Sequence, residues 1–131
     1  MGYVGVYDLE AMHRDDSRTA RWVREYVTDW VGERDDLAAR SPTTLAQRIK
    51  VPVLLAAGGQ DERAPIAHSK KMERALRSAG APVETLYFPT EGHGFYTEPH
   101  RREFYTRLLD FLARHIGGAR AKDSAEVRGT Q

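Results

Sequence analysis

The sequence predicts an α/β fold with parallel strands covered by helices, on three observations. Val51 to Ala57 is a continuous apolar run ending at Gly58-Gly59, the pattern of a strand buried on both faces. Val83 to Phe88 is a second β-rich run, closed by Pro89. Between them, from Pro65, lies an amphipathic helical stretch, and strand, helix, strand with short connections makes a right-handed crossover and hence parallel strands.

The remaining elements follow in chain order. Gly2 to Asp8 is short, β-branched and aromatic, which suits a first strand. Trp22, Val23, Tyr26, Val27, Trp30 and Val31 recur at helical spacing, with Ser17 as a cap and Gly32 beyond the end, predicting a helix over about 18–31. The stripe Trp22, Tyr26, Trp30 reads as core or sheet-covering rather than as a binding platform. Glu33 to Arg40 is a charged connector, and Ser41-Pro42-Thr43-Thr44 opens one short helical turn with Pro near its first position.

The helix from Pro65 carries Ile66, Met72, Ala75, Leu76 and Ala79 on one side. Lys70, Lys71, Arg74 and Arg77 form a solvated face on the other, and Gly80 stops it. A last helix is predicted from about Pro99 to Ile116, with Phe104, Tyr105, Leu108, Phe111 and Leu112 inward and His100 and His115 on an exposed flank. Gly117-Gly118 ends it. Beyond, Ala119 to Gln131 has Val127 as its only sizeable apolar side chain, too little burial to offset ordering, so residues 119–131 are expected to be a disordered tail and residues 1–118 the domain. Two or three strands make a poor sheet, and a strand buried on both faces needs neighbours. The chain therefore reads as one end of a larger open sheet.

Composition excludes several function classes. At 131 residues, one domain is expected, and 20 Lys+Arg against 19 Asp+Glu leave no electrostatic footprint for a nucleic acid or an anionic membrane. No apolar run approaches the ~20 residues of a membrane span, and Met1-Gly2-Tyr3-Val4 has no basic segment ahead of an apolar one. Val6 stands where a myristoylation signal needs Ser or Thr. The chain thus reads as soluble, with the cytoplasm favoured over export. The absence of cysteine removes disulfides, thiolate zinc sites and a cysteine nucleophile without fixing the compartment. His13 with Asp15-Asp16, or His100 with His115, lacks any recognised ligand spacing, so no metal is expected, and no other cofactor is called for.

Two residues carry the candidate chemistry. Asp61 lies just past the carboxyl end of the strand 51–57 and His93 just past that of 83–88, between two glycines. Catalytic groups of open α/β sheets gather at that edge. There a carboxylate can hold one imidazole nitrogen in the required tautomer, freeing the other to take a proton from a nucleophile. Singly, Asp61 also reads as a helix cap and Gly92-His93-Gly94 as a turn. The order acid then His is that of a Ser-Asp-His triad whose serine, in a Gly-x-Ser-x-Gly elbow, comes first.

The stretch Ser41-Pro42, Ile49-Lys50-Val51-Pro52-Val53-Leu54-Leu55, Gly58, Asp61-Glu62-Arg63-Ala64-Pro65, with Glu91-Gly92-His93-Gly94-Phe95, resembles the catalytic domain of the prolyl oligopeptidase family of serine peptidases. The likeness is to its acylaminoacyl-peptidase and dipeptidyl-peptidase branches, over roughly residues 3–116. It implies the C-terminal portion of an α/β-hydrolase fold, a peptide substrate, Asp61 as triad acid, His93 as general base, and Arg63 as a contact to a substrate carbonyl. Ala56-Ala57 and Ala64 depart from the family's usual residues. Ser17, Ser41, Ser69, Ser78 and Ser124 all lack an elbow. In the family, the nucleophile and oxyanion donors lie upstream of the strand that here starts at Gly2, so the chain is expected to supply the acid and base only, and to be inactive alone. The alternatives are an esterase or thioesterase of the same fold, or a non-catalytic interaction module that pairs, with itself or another chain, through an exposed sheet edge.

Overall fold

The computed structural model describes residues 1–118 apart from 17, 19, 20 and 33. Ser17, expected as a cap, and the expected tail over 119–131 lie outside the described residues. The elements in order are β1 (Gly2–Tyr3), α1 (Leu9–Asp16), α2 (Arg21–Val31), α3 (Arg34–Arg40), α4 (Pro42–Leu45), a 3₁₀ turn (Ala46–Arg48), β2 (Val53–Gly58), α5 (Ile66–Ser78), β3 (Val83–Phe88) and α6 (Glu98–Ile116).

The strands form one parallel sheet in the order β1-β2-β3. β2 is central: Leu55 and Ala56 pair with Gly2 and Tyr3, and Val53 to Gly58 pair in register with Val83 to Phe88. Side chains alternate across a strand, so β2 feeds two cores. Leu55 joins Tyr7, Ala46, Met72, Leu76 and Ala81 under α5. Ala56 joins Leu86, Phe88, Phe95 and Phe104, with Leu108 packed alongside, under α6. Covered on both faces, β2 has no solvent side, which is why its sequence is apolar without alternation. Leu54, Leu55 and Leu76 are fully buried, each contributing about 1.5–3 kcal/mol.

The N-terminal part departs from expectation. The strand expected over 2–8 stops at Tyr3, because Val4 turns to φ 42°, a conformation a β-branched residue adopts only under strain. Asp8 instead starts α1, its Oδ1 accepting the Ala11 N–H at 2.9 Å. Neither α1 nor α3 is expected from sequence. At least half of each is Asp, Glu or Arg, and among the described side chains the buried one is His13 in α1 and Leu37 in α3, so no apolar stripe marks either. The Ser41 hydroxyl joins them, accepting from Leu9 N at 2.9 Å and donating to Leu37 O at 2.8 Å.

The aromatic stripe of α2 is not core. Trp22, Tyr26 and Trp30 are 70%, 58% and 77% exposed, because α2 packs beside α1 on another face, where Thr28 Oγ1 lies 3.5 Å from His13 Nε2, and its half-buried residues include Val23, Thr28 and Val31. The helical period is right, but the buried face is the neighbouring one. Likewise Tyr105 on α6 points outward, while Phe104 and Phe111 are buried and Leu108 and Leu112 half-buried. The basic side of α5 is partly paired rather than only solvated: Lys71 reaches the buried Asp8 carboxylate, and Arg77 Nη2 bonds Glu73 at 2.9 Å. Among the described residues no helix is long and apolar enough to cross a membrane.

Candidate active site

The site is built where the loops that leave β2 and β3 run against each other. Gly59 N donates to Phe88 O at 2.8 Å and Gln60 N to Glu91 O at 2.9 Å, tying the loop after β2 to the loop after β3. This approach requires glycine: a Cβ on Gly58 would overlap the carbonyl oxygens of Glu91 and Gly92, and one on Gly59 the Pro89 carbonyl.

Asp61 sits on the first loop with its side chain fully buried. Its Oδ1 accepts the backbone N–H groups of Arg63 at 2.9 Å and Ala64 at 2.8 Å, so the short loop before α5 fixes the carboxylate's rotation. Its other contact is His93 Nδ1, 2.9 Å from Oδ2 and 3.1 Å from Oδ1. An ionised carboxylate only accepts, so Nδ1 is the donor of this pair, and in the neutral imidazole that arrangement leaves the lone pair on Nε2. The His93 side chain is 36% exposed, leaving Nε2 accessible for chemistry. The two residues read from sequence are therefore joined, an exposed imidazole on a buried acid, at the carboxyl edge of a parallel sheet.

The loop bearing His93 is anchored on both sides. Phe95 is buried, edge-on to Phe88 at 4.7 Å and to Phe104 at 5.2 Å. Gly92 and Gly94 bridge each other across His93, with Gly94 at φ 141°, and the Tyr96 hydroxyl donates to His93 O at 3.2 Å. On the other side Glu91 is buried and accepts from Tyr96 N at 2.8 Å, Thr97 N at 3.1 Å, the Thr97 hydroxyl and His100 Nδ1 at 2.6 Å. The Thr97 hydroxyl and then the Tyr96 amide outweigh desolvation and hold its carboxyl down at about 2. His100 is thus no exposed flank residue: it is half-buried, and its ring stacks on Phe88 at 4.3 Å. A glutamate two residues before the histidine in a glycine-rich loop was the available signal for this cluster.

Arg63 is exposed beside Asp61, and its guanidinium makes no hydrogen bond or ion pair among the described residues. Ser41 is committed to α1 and α3, Ser69 is buried on α5, and Ser78 ends that helix. Among the described residues no hydroxyl group bonds Nε2 of His93, and no cluster of three side chains suits a metal ion.

Comparison with known proteins follows the same residues. Dipeptidyl aminopeptidase BIII of Pseudoxanthomonas mexicana is 38% identical over 82 residues, 63% of this chain and 12% of that enzyme. A Yersinia pestis protein named as a candidate carboxymethylenebutenolidase is 32% identical over 92 residues, 65% of this chain and 34% of its own. The crystal structure of puromycin hydrolase superposes on 91% of this chain with a TM-score of 0.79 and 26% identity, while the chain covers 18% of it. The architecture is that of the α/β-hydrolases, of which this chain corresponds to a part. The model of the prolyl oligopeptidase family matches residues 1–119. With every described residue inside that match, the protein belongs to the prolyl oligopeptidase family.

Proposed function

We propose that this chain carries the acid and general base of a serine peptidase, with Asp61 and His93 completing a triad whose serine lies outside these 131 residues. The observation that carries the reading is the buried Asp61 carboxylate on Nδ1 of an exposed His93, in a member of a peptidase family. In the mechanism, Nε2 of His93 takes the proton of the serine hydroxyl as its oxygen bonds the substrate carbonyl carbon. Asp61 stabilises the imidazolium without taking the proton. Nε2–H then protonates the leaving amine as the C–N bond breaks, and water repeats the sequence on the acyl-enzyme. Arg63, whose guanidinium has no partner in the described chain, is available to hydrogen-bond a substrate carbonyl.

The candidate carboxymethylenebutenolidase among the relatives supports a second reading, an ester or lactone hydrolase using the same pair. The test is turnover of dipeptidyl and acyl-aminoacyl p-nitroanilides beside p-nitrophenyl esters by the protein with its full coding sequence. Turnover of the anilides that collapses in His93→Ala supports the peptidase. Ester cleavage alone supports the second reading, and activity unaffected by His93→Ala overturns both.

A further inference from the structure

We propose that Glu91 is a positioning residue that holds His93 in register with Asp61, acting through Thr97 and His100. The inference rests on the catalytic reading of the Asp61–His93 pair for its effect on turnover, but not for its geometry. Glu91 is bonded to both sides of the site. Its carbonyl accepts from Gln60, immediately before Asp61. Its carboxylate accepts from Tyr96, Thr97 and His100, immediately after the His93 turn. The carboxylate therefore closes residues 91–97 into a ring with His93 at its apex.

Glycines flank His93, so the backbone at the apex has little stiffness of its own, and the ring closure and the Phe95 anchor supply it. The four donors that Glu91 accepts all come from Tyr96, Thr97 and His100, three on Oε1 and one on Oε2, and among the described residues the carboxylate has no basic partner other than His100. His100 is fixed in turn by stacking on Phe88, the last residue of β3. The glutamate thus links the end of β3, the start of α6 and the loop of Asp61. Loss of this link displaces the imidazole from its acid, and a misplacement of about 1 Å lowers turnover by roughly 10²-fold.

Glu91→Gln isolates the effect. With its carbonyl at Oε1, the amide group points its N–H at Tyr96 N–H. Flipped, it faces the three donors from Thr97 and His100. The reporter is the His93 Nδ1 proton in protein labelled with ¹⁵N-histidine, assigned by its absence in His93→Ala. In Glu91→Gln its exchange with solvent accelerates by about tenfold or more, below the temperature at which the variant unfolds. Thr97→Val, which removes only the hydroxyl, moves exchange in the same direction by less. Glu73→Gln, which loses comparable bonds to Tyr87 and Arg77 away from the site, leaves it unchanged.

An unaltered His93 resonance in Glu91→Gln overturns the inference. Should that variant not fold, an unaltered resonance in Thr97→Val overturns it, and accelerated exchange there sustains it. A mere loss of stability would lower the melting temperature without touching this signal. Failure of the catalytic reading shows up elsewhere, as turnover insensitive to His93→Ala.

Discussion

Replacing Asp61 by Asn separates the charge of the acid from its shape, and the structure dictates how the amide must sit. Oδ1 is held by two backbone N–H donors, Arg63 at 2.9 Å and Ala64 at 2.8 Å. Only the amide oxygen can take that position. The NH₂ group is then forced onto the Oδ2 position, 2.9 Å from His93 Nδ1, where it must donate. His93 responds by placing its proton on Nε2 and presenting a lone pair at Nδ1, the tautomer that cannot accept a proton from a nucleophile. Turnover falls by about 10⁴, the order found where a triad acid has been replaced in this way. Folding stability falls too, because the bonds to Arg63, Ala64 and His93 persist but lose their charge assistance, roughly 1 kcal/mol per bond. Two assays check it: steady-state rates on the substrates above, and the ¹⁵N shifts of the His93 ring, which distinguish the tautomers. A ring that keeps its proton on Nδ1 in Asp61→Asn, or a rate within about tenfold of wild type, would refute the reasoning.

Gly58→Ala places a methyl group against the backbone carbonyls of Glu91 and Gly92; backbone cannot swing aside as a side chain can, so the variant loses about 1–3 kcal/mol or more in denaturant unfolding, and an unchanged midpoint would count against the close approach of the two loops. Acid sensitivity follows from Glu91, whose carboxyl is depressed from 4.5 to about 2. Its contribution to stability is complete above pH 4.5 and is lost as the pH falls toward 2, so the acid slope of the melting temperature in that window is shallower in Glu91→Gln. Asp8 adds with the same sign: burial raises its pKa, but the Lys71 ammonium and the Ala11 amide outweigh this and lower it overall. Finally, the 131-residue chain does not label with a fluorophosphonate, because the Ser41 hydroxyl is spent on Leu37 and Leu9, that of Ser69 is buried, and none of the five serines lies in a Gly-x-Ser-x-Gly elbow; stoichiometric labelling of any of the five, read by mass spectrometry, would place a nucleophile within this chain.

Legibility in the sequence tracked how far each element's burial is set by its own residues. β2 and β3 were readable because a strand covered on both faces or closed by Gly-Gly and Pro leaves few alternatives. α1 and α3 were not, since their places depend on one buried serine and on neighbours distant in sequence. α2 shows the limit of periodicity, which identifies a stripe but not the neighbour it faces: Trp22, Tyr26 and Trp30 lie at helical spacing on the side away from α1. The meeting of Asp61 and His93 was readable because topology alone brings loops after parallel strands to one edge. Glu91 was not read as part of the site, because its place two residues before His93, though a signal, does not tell whether a glutamate is solvated or buried under four donors.

The interlocked loops also bear on the choice between the two proposed activities. The same segment aligns with a dipeptidyl aminopeptidase and with a candidate carboxymethylenebutenolidase, so an acid and base at this spacing do not select the bond that is cleaved. The demands on them nevertheless differ. An amine leaves only after Nε2–H of His93 has protonated it, whereas an ester's alcohol leaves with less assistance, so the charged imidazolium is needed further along the path in amide cleavage. On the proposed reading, a fully buried Asp61 fixed by two backbone amides, with His93 held by the ring that Glu91 closes, would keep that imidazolium oriented until the proton is delivered. Weakening the clasp should therefore penalise amides more than esters in one and the same protein, and the ratio of the two losses in Asp61→Asn measures how much of the site's construction serves the harder leaving group.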